Sequence, residues 1–315
     1  MQEPVLRFLD LPASEADPGG RRLAYWDWQS QTPRPLSVVV CVHGLSRQGR
    51  DFDSLARALT DRHRVVAVDV AGRGQSDRLA DPMRYQVPTY VGDLVQLLAL
   101  FRSRQPGVPI DWVGTSMGGL IGIGVASQPA AGLRRLVLND VGPVIRWEAL
   151  ERIGGYVGKD PEFASEQAGI EYLASISSGF GPHTPQQWSA LSRPMLRQVN
   201  GRWRLHYDPA IAAPLRAMLA VTDPQQVAAM VAAGEQALWA AYDAIGIPTL
   251  LLRGADSDLL ASETAQEMTR RGPHARCVEF PGVGHAPTLV SEDQMAVVRN
   301  FLSDPSPAPH QGVEQ

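Results

Sequence analysis

The chain has 315 residues, 29 of them Lys or Arg and 33 Asp or Glu, for a formal net charge of −4. That balance leaves no basic footprint for nucleic acid or an anionic membrane surface, and no apolar run approaches the ~20 residues of a membrane helix. The length exceeds the usual domain size but suits one α/β domain carrying an insertion.

In chain order, the start Met1-Gln2-Glu3-Pro4-Val5-Leu6-Arg7 lacks a basic region followed by a long apolar stretch, so no secretory signal is expected. Residues 5–9 and 22–28 are predicted as antiparallel strands joined by the turn Asp17-Pro18-Gly19-Gly20. Alternation of strand and helix then runs to Asn139, with helices expected over 51–59, 88–101 and 117–127. In the second helix Tyr90, Leu94, Leu97, Leu98 and Phe101 recur at helical spacing, the pattern of a core face. From about Pro143 to Gly246 the alternation stops, and the stretch reads as helical, broken by Gly-Pro and Pro. The predicted core is therefore 1–142 with 247–302, the insert and its return helix 143–246, and 303–315 a Pro-rich disordered tail. Cys41 and Cys277 fall in predicted buried strands without metal-ligand company. They read as small core hydrophobes in a reducing compartment, and the expected location is cytoplasmic.

Three loops at predicted strand ends carry the chemistry. The apolar run 38–42 delivers His43-Gly44-Leu45, and the run 64–68 delivers Asp69 before Gly72-Arg73-Gly74-Gln75-Ser76-Asp77. The run 110–113 delivers Gly114-Thr115-Ser116-Met117-Gly118-Gly119, followed by an apolar helix. This is a G-x-S-x-G turn between strand and helix, which holds a serine hydroxyl out at a sharp corner. A phosphate-binding loop would need a Lys before Ser or Thr, and none is present. Ser116 is the candidate nucleophile. An attacked carbonyl also needs N–H donors for its developing negative charge. Met117, next after the serine, and Leu45, on the earlier loop, are the candidates, with His43 and Gly44 as loop support. Asp69 reads as a loop brace. Near the C-terminus a short strand runs into Gly284-His285-Ala286, and the His285 imidazole, able to titrate near neutrality, is the candidate general base.

In this order and spacing, the motifs resemble the α/β-hydrolase fold superfamily, in its single-domain, helical-cap branch. The resemblance implies a mostly parallel eight-stranded sheet with helices on both faces and an inserted helical cap. It implies a triad in the order nucleophile, acid, histidine, with the acid after the strand that precedes the histidine strand. That loop reads Gly254-Ala255-Asp256-Ser257-Asp258, and Ser257 occupies the expected offset. Counting back from the next helix, expected to be capped by Ser262, favours Asp258. Asp256 is the alternative, and Asp140, after the strand 135–139, is a third.

The resemblance implies a serine carboxylesterase acting on small to medium acyl esters, without metal or organic cofactor. Carbon–carbon bond hydrolysis, lactone hydrolysis and a non-catalytic small-molecule receptor on the same fold remain open. So does the oligomeric state. No nucleic acid or membrane partner is expected. Trp147, Trp188, Met195, Trp203, Arg193 and Arg197 of the insert are candidates to line the substrate pocket, with Phe163, Phe180 and Met218 considered alongside.

Overall fold

In the computed structural model, which describes residues 3–305, the chain opens with an antiparallel pair, β1 (Val5–Leu11) and β2 (Arg21–Trp28). There follow β3 (Val38–Val42), α1 (Asp53–Leu59), β4 (Arg64–Val68), α2 (Val87–Arg104), β5 (Ile110–Thr115), α3 (Met117–Ala126) and β6 (Leu133–Asn139). Among the described residues one sheet has eight strands, in the order β1-β2-β4-β3-β5-β6-β10-β11, where β10 is Thr249–Gly254 and β11 is Arg276–Phe280. From β4 to β11 every pairing is parallel. This is the α/β-hydrolase arrangement expected from the motifs.

A strand buried on both faces is apolar at every position rather than alternately. β3 shows this: Val38, Val40 and Val42 enter one core, Val39 and Cys41 the other. The first core is closed by α2 and α3 through residues such as Leu94, Leu98, Phe101 and Ile121. The second is closed by Leu55 and Leu59 of α1 and by Val298 and Leu302 of the last helix. Cys277 is half-buried rather than buried.

The chain runs outward from β3 to β4 on one side and to β5 on the other. In an open parallel sheet a crevice forms where the order reverses, at the carboxyl ends of the strands. The loop after β3 and the turn after β5 flank that crevice.

The segment between β6 and β10 forms an insert: α4 (Trp147–Gly154), β7 (Glu162–Phe163), α5 (Glu166–Ile176), α6 (Pro185–Ser192), β8 (Leu196–Val199), β9 (Arg202–Leu205), α7 (Ala213–Leu219) and α8 (Pro224–Asp243). It is not helical throughout, because β7, β9 and β8 make a small antiparallel sheet. The cause is local. Asn200 and Gly201 take φ of 49° and 77° between the paired Val199 and Arg202. Asn-Gly with both residues at positive φ makes the two-residue turn that matches strand twist.

After β10 come α9 (Ser262–Met268), β11 and α10 (Glu292–Ser303). Ser262 is the first residue of α9, with Ala261 as its N-cap. Of the tail expected over 303–315, Ser303 closes α10, and residues 306–315 lie outside the described residues. No helix among the described residues is long and apolar enough to cross a membrane.

Candidate active site

Ser116 sits at the corner between β5 and α3 with φ 52° and ψ −118°. A side chain at positive φ is strained, and such strain persists only where the surroundings impose it. Here they do. A Cβ on Gly114 would lie 2.2 Å from the Gly118 carbonyl oxygen, and one on Gly118 would lie 1.9 Å from that of Val42. Strand and helix approach so closely that only glycine fits at either side of the serine. The Ser116 N–H donates to the Asn139 carbonyl at 2.9 Å, which ties the corner to the end of β6.

His285 reaches the same corner from the loop after β11. Its Nε2 lies 2.9 Å from Ser116 Oγ, and its Nδ1 lies 2.7 Å from Asp140 Oδ2. Asp140 follows β6 directly and is fully buried. Its Oδ1 accepts the Gly254 N–H at 2.9 Å, and its Oδ2 accepts the Ser257 hydroxyl at 2.6 Å. An ionised carboxylate only accepts, so the Nδ1 of His285 carries the proton and its Nε2 lone pair faces the serine hydroxyl. General-base activation of a hydroxyl calls for this geometry.

The acid facing His285 is thus Asp140 and not Asp258, the residue expected from the loop after β10. Asp258 is about half exposed and is held by Arg152 of α4, with Nε–Oδ2 2.6 Å and Nη2–Oδ1 3.0 Å. Asp256 is also exposed, at the rim of the crevice. The cause is the offset of one residue. Ser257 stands where the loop approaches the histidine, and its two acidic neighbours face outward.

The loop after β3 is rigidly set. The buried His43 Nε2 accepts the Val70 N–H at 3.0 Å, so its Nδ1 carries the proton and donates to the Gly44 carbonyl at 2.7 Å. Burial pulls the His43 imidazole down to about 3, so it stays neutral. Because Gly44 O and Leu45 N–H belong to one peptide unit, this bond also orients the Leu45 N–H. The buried Arg73 holds the next carbonyl, that of Leu45, at 2.9 Å. Met117, first residue of α3, is among the N–H groups that a helix leaves without an internal partner. Asp69 braces the neighbouring loop by accepting the N–H groups of Gly49 and Gln75 and the Trp26 indole.

Ser116 and His285 open into a cavity of about 460 Å³ between the sheet edge and the insert, within the usual size range of small-molecule sites. Of the six insert residues expected to line it, Met195 does. Phe180, considered alongside them, does so as well. Trp147 donates to Glu151 on its own helix, Trp188 packs on Phe180 and His183, and Trp203 lies in β9. Arg193 pairs with Glu166, and Arg197 stands opposite Arg204 in the β8–β9 ladder. The walls are instead supplied by Tyr156, Tyr172, Leu173, Ile176 and Tyr207 of the insert and by two arginines, Arg47 and Arg152. Arg47 was legible: it lies two residues beyond Leu45 on the same loop. The tyrosines, scattered over an insert whose course is not periodic, carry no such signal.

A model of the alpha/beta hydrolase family matches residues 39–300. The 3-hydroxybutyrate-oligomer hydrolase of Cupriavidus necator is 47% identical over 289 residues, covering 90% of this chain and 94% of that protein. Esterase YbfF of Escherichia coli is 26% identical, covering 87% of this chain and 96% of that one. Among solved structures, an alpha/beta hydrolase from Novosphingobium aromaticivorans superposes with a TM-score of 0.78 at 34% identity, covering 96% of this chain and 99% of that chain.

Proposed function

The chain belongs to the alpha/beta hydrolase family, and from that premise we propose that it is a serine hydrolase cleaving carboxylic esters of short hydroxyacyl chains, the class to which 3-hydroxybutyrate oligomers belong. The observation that carries this is the unbroken chain of hydrogen bonds from Ser116 through His285 to Asp140, ending at the wall of a cavity. The substrate class follows the relative that is 47% identical over nearly the whole length of both proteins.

In this reading Ser116 Oγ attacks the ester carbonyl while its proton passes to His285 Nε2. Asp140 stabilises the imidazolium without taking the proton. The Leu45 and Met117 N–H groups hold the oxyanion. As the tetrahedral intermediate collapses, the carbon–oxygen bond to the leaving group breaks, and His285 returns the proton to the departing alkoxide. Water, deprotonated by His285, then attacks the acyl-enzyme; the carboxylic acid leaves and Ser116 regains its proton. The insert acts as a cap that shields these steps from bulk water. No metal or organic cofactor enters the scheme.

The test is hydrolysis of p-nitrophenyl butyrate and of the linear 3-hydroxybutyrate dimer by wild type and Ser116→Ala. Wild type should cleave both, p-nitrophenyl butyrate with a burst of p-nitrophenol, and the variant should lose at least about 10³-fold in kcat. A folded wild-type protein silent on both esters, or a variant with undiminished activity, sinks the proposal.

A further inference from the structure

Arg47 is placed beside the nucleophile. A Cβ built on Gly44 lies 3.7 Å from Ser116 Cβ and 3.8 Å from Arg47 Cγ, so Gly44 alone separates the serine from the arginine stem. The guanidinium is held on one edge. Nε and Nη2 meet the two oxygens of Asp51 at 2.7 and 2.6 Å, and Nη2 also donates to the Leu191 carbonyl of α6 at 2.9 Å. Its carbon centre lies 5.8 Å from the Phe180 ring centroid. Nη1 takes no partner among the described residues, and Arg47 lines the cavity.

A guanidinium fixed by Asp51 has little further freedom to lose when it binds, and its remaining N–H groups, those of Nη1, form one donor. A carboxylate is the ligand that matches such a donor. Asp51 does not cancel this, because it occupies the opposite edge of the fork and leaves Nη1 as the positive end of the pair. Arg152, the other arginine of the cavity, is a poorer candidate. Its Nε and Nη2 are held by Asp258 much as those of Arg47 are held by Asp51, but its side chain is 44% exposed, so water competes for any ligand there. That of Arg47 is 11% exposed.

We infer that Arg47 reads the free carboxylate on the leaving-group side of the scissile ester, so that the enzyme removes one hydroxyacid at a time from the carboxyl end of an oligomer. The inference rests on the ester-hydrolase reading above. The chemistry fits the placement. In a 3-hydroxybutyrate dimer only the ester oxygen, the carbinol carbon and one methylene separate the attacked carbonyl carbon from the terminal carboxylate carbon. The Arg47 stem lies across Gly44 from Ser116 and both residues line one cavity, so its guanidinium is placed to meet that carboxylate while the ester sits on the serine. A neutral end, or a chain continued past this point, gains nothing from Arg47.

The experiment compares kcat/KM for the 3-hydroxybutyrate dimer and for the same dimer with its carboxylate converted to a primary amide. p-Nitrophenyl butyrate reports the serine chemistry separately. Wild type should prefer the acid by at least about tenfold, expressed in KM, and Arg47→Gln should bring that ratio to about one. Inhibition of wild-type p-nitrophenyl butyrate hydrolysis should be stronger by 3-hydroxybutyrate than by 3-hydroxybutyramide, a readout that stands even if the variant does not fold. A wild-type ratio near one, equal inhibition by the two products, or a ratio kept in Arg47→Gln overturns the inference, the last by moving the carboxylate to another group. Cleavage of p-nitrophenyl butyrate with no cleavage of the dimer overturns it while leaving the serine mechanism standing. Silence on every ester removes both.

Discussion

Ser257 Oγ donates to Asp140 Oδ2 at 2.6 Å, the same oxygen that meets His285 Nδ1 at 2.7 Å. The position from which an acid was expected to approach the histidine instead supplies a donor to an acid from the neighbouring strand. With the Gly254 N–H on Oδ1, Asp140 accepts three hydrogen bonds at a site closed to water. A buried carboxylate requires such partners, since an unpaired charge there is costly.

Asp140→Asn should therefore lower kcat on p-nitrophenyl butyrate by about 10⁴, because an amide that donates to Nδ1 turns the imidazole to the wrong tautomer. Asp258→Asn breaks only a half-exposed ion pair with Arg152. Such pairs contribute ~0–1 kcal/mol, so its effect should stay below about fivefold. A larger loss in Asp258→Asn than in Asp140→Asn would return the acid's role to the loop after β10.

Ser257→Ala removes one of the three donors and also the oxygen that accepts the N–H groups of Leu259 and Leu260. A hydrogen bond to a charged group contributes about 1.5–3 kcal/mol. Stability in urea should fall by roughly that amount, with kcat down roughly tenfold because Asp140 is less firmly held. Full stability and full kcat together would show that Ser257 is only a bystander.

The parts of the site legible in the sequence are those whose signal is local. Ser116 announces itself through Gly114 and Gly118, His285 through Gly284, and the Leu45 loop through His43-Gly44. The acid is different in kind. Asp140, Asp256 and Asp258 all lie at the ends of two adjacent parallel strands, and which one faces the histidine is set by the pairing of β6 with β10. The cavity wall is harder still. Arg197, Arg202 and Arg204 lie within a stretch that reads as helical in sequence, yet they belong to a hairpin. There Arg197 faces Arg204 across the ladder and Arg204 pairs with Glu162 of β7. The Asn200-Gly201 turn that makes this hairpin is a short local signal inside a long segment without periodicity.

Gly118→Ala tests the packing that holds the serine corner. Its Cβ would lie 1.9 Å from the Val42 carbonyl oxygen, a backbone atom of the sheet that cannot swing aside. β3 and α3 must part, so the loss of stability should exceed about 3 kcal/mol. Gly92 in α2 is the comparison, since a Cβ there meets nothing within 4 Å and its φ is not positive. Gly92→Ala should stabilise by about 0.5–1 kcal/mol. Matching midpoints for the two variants in urea would contradict the close approach of strand and helix.

Acid should destabilise the protein. Burial pulls His43 down to about 3 and His63 down to about 4, from 6.5. As pH falls below 6.5 the unfolded chain takes up protons at both positions and the folded chain does not. Stability then falls with pH, by up to about 1.4 kcal/mol per unit for each histidine. Asp69 works in the opposite sense. Burial pushes it up to about 6 from 3.8, against the N–H groups of Gln75 and Gly49. Between those values the folded chain holds a proton that the unfolded chain has lost, which offsets one histidine. The urea midpoint should therefore begin to drop near pH 6.5 and keep dropping from 6 toward 4, by about one histidine's worth per pH unit. His63→Gln, which removes one of these imidazoles, should make that drop shallower. A midpoint that is flat or rising as pH is lowered from 7 to 6 would mean that these histidines are not held neutral in the fold.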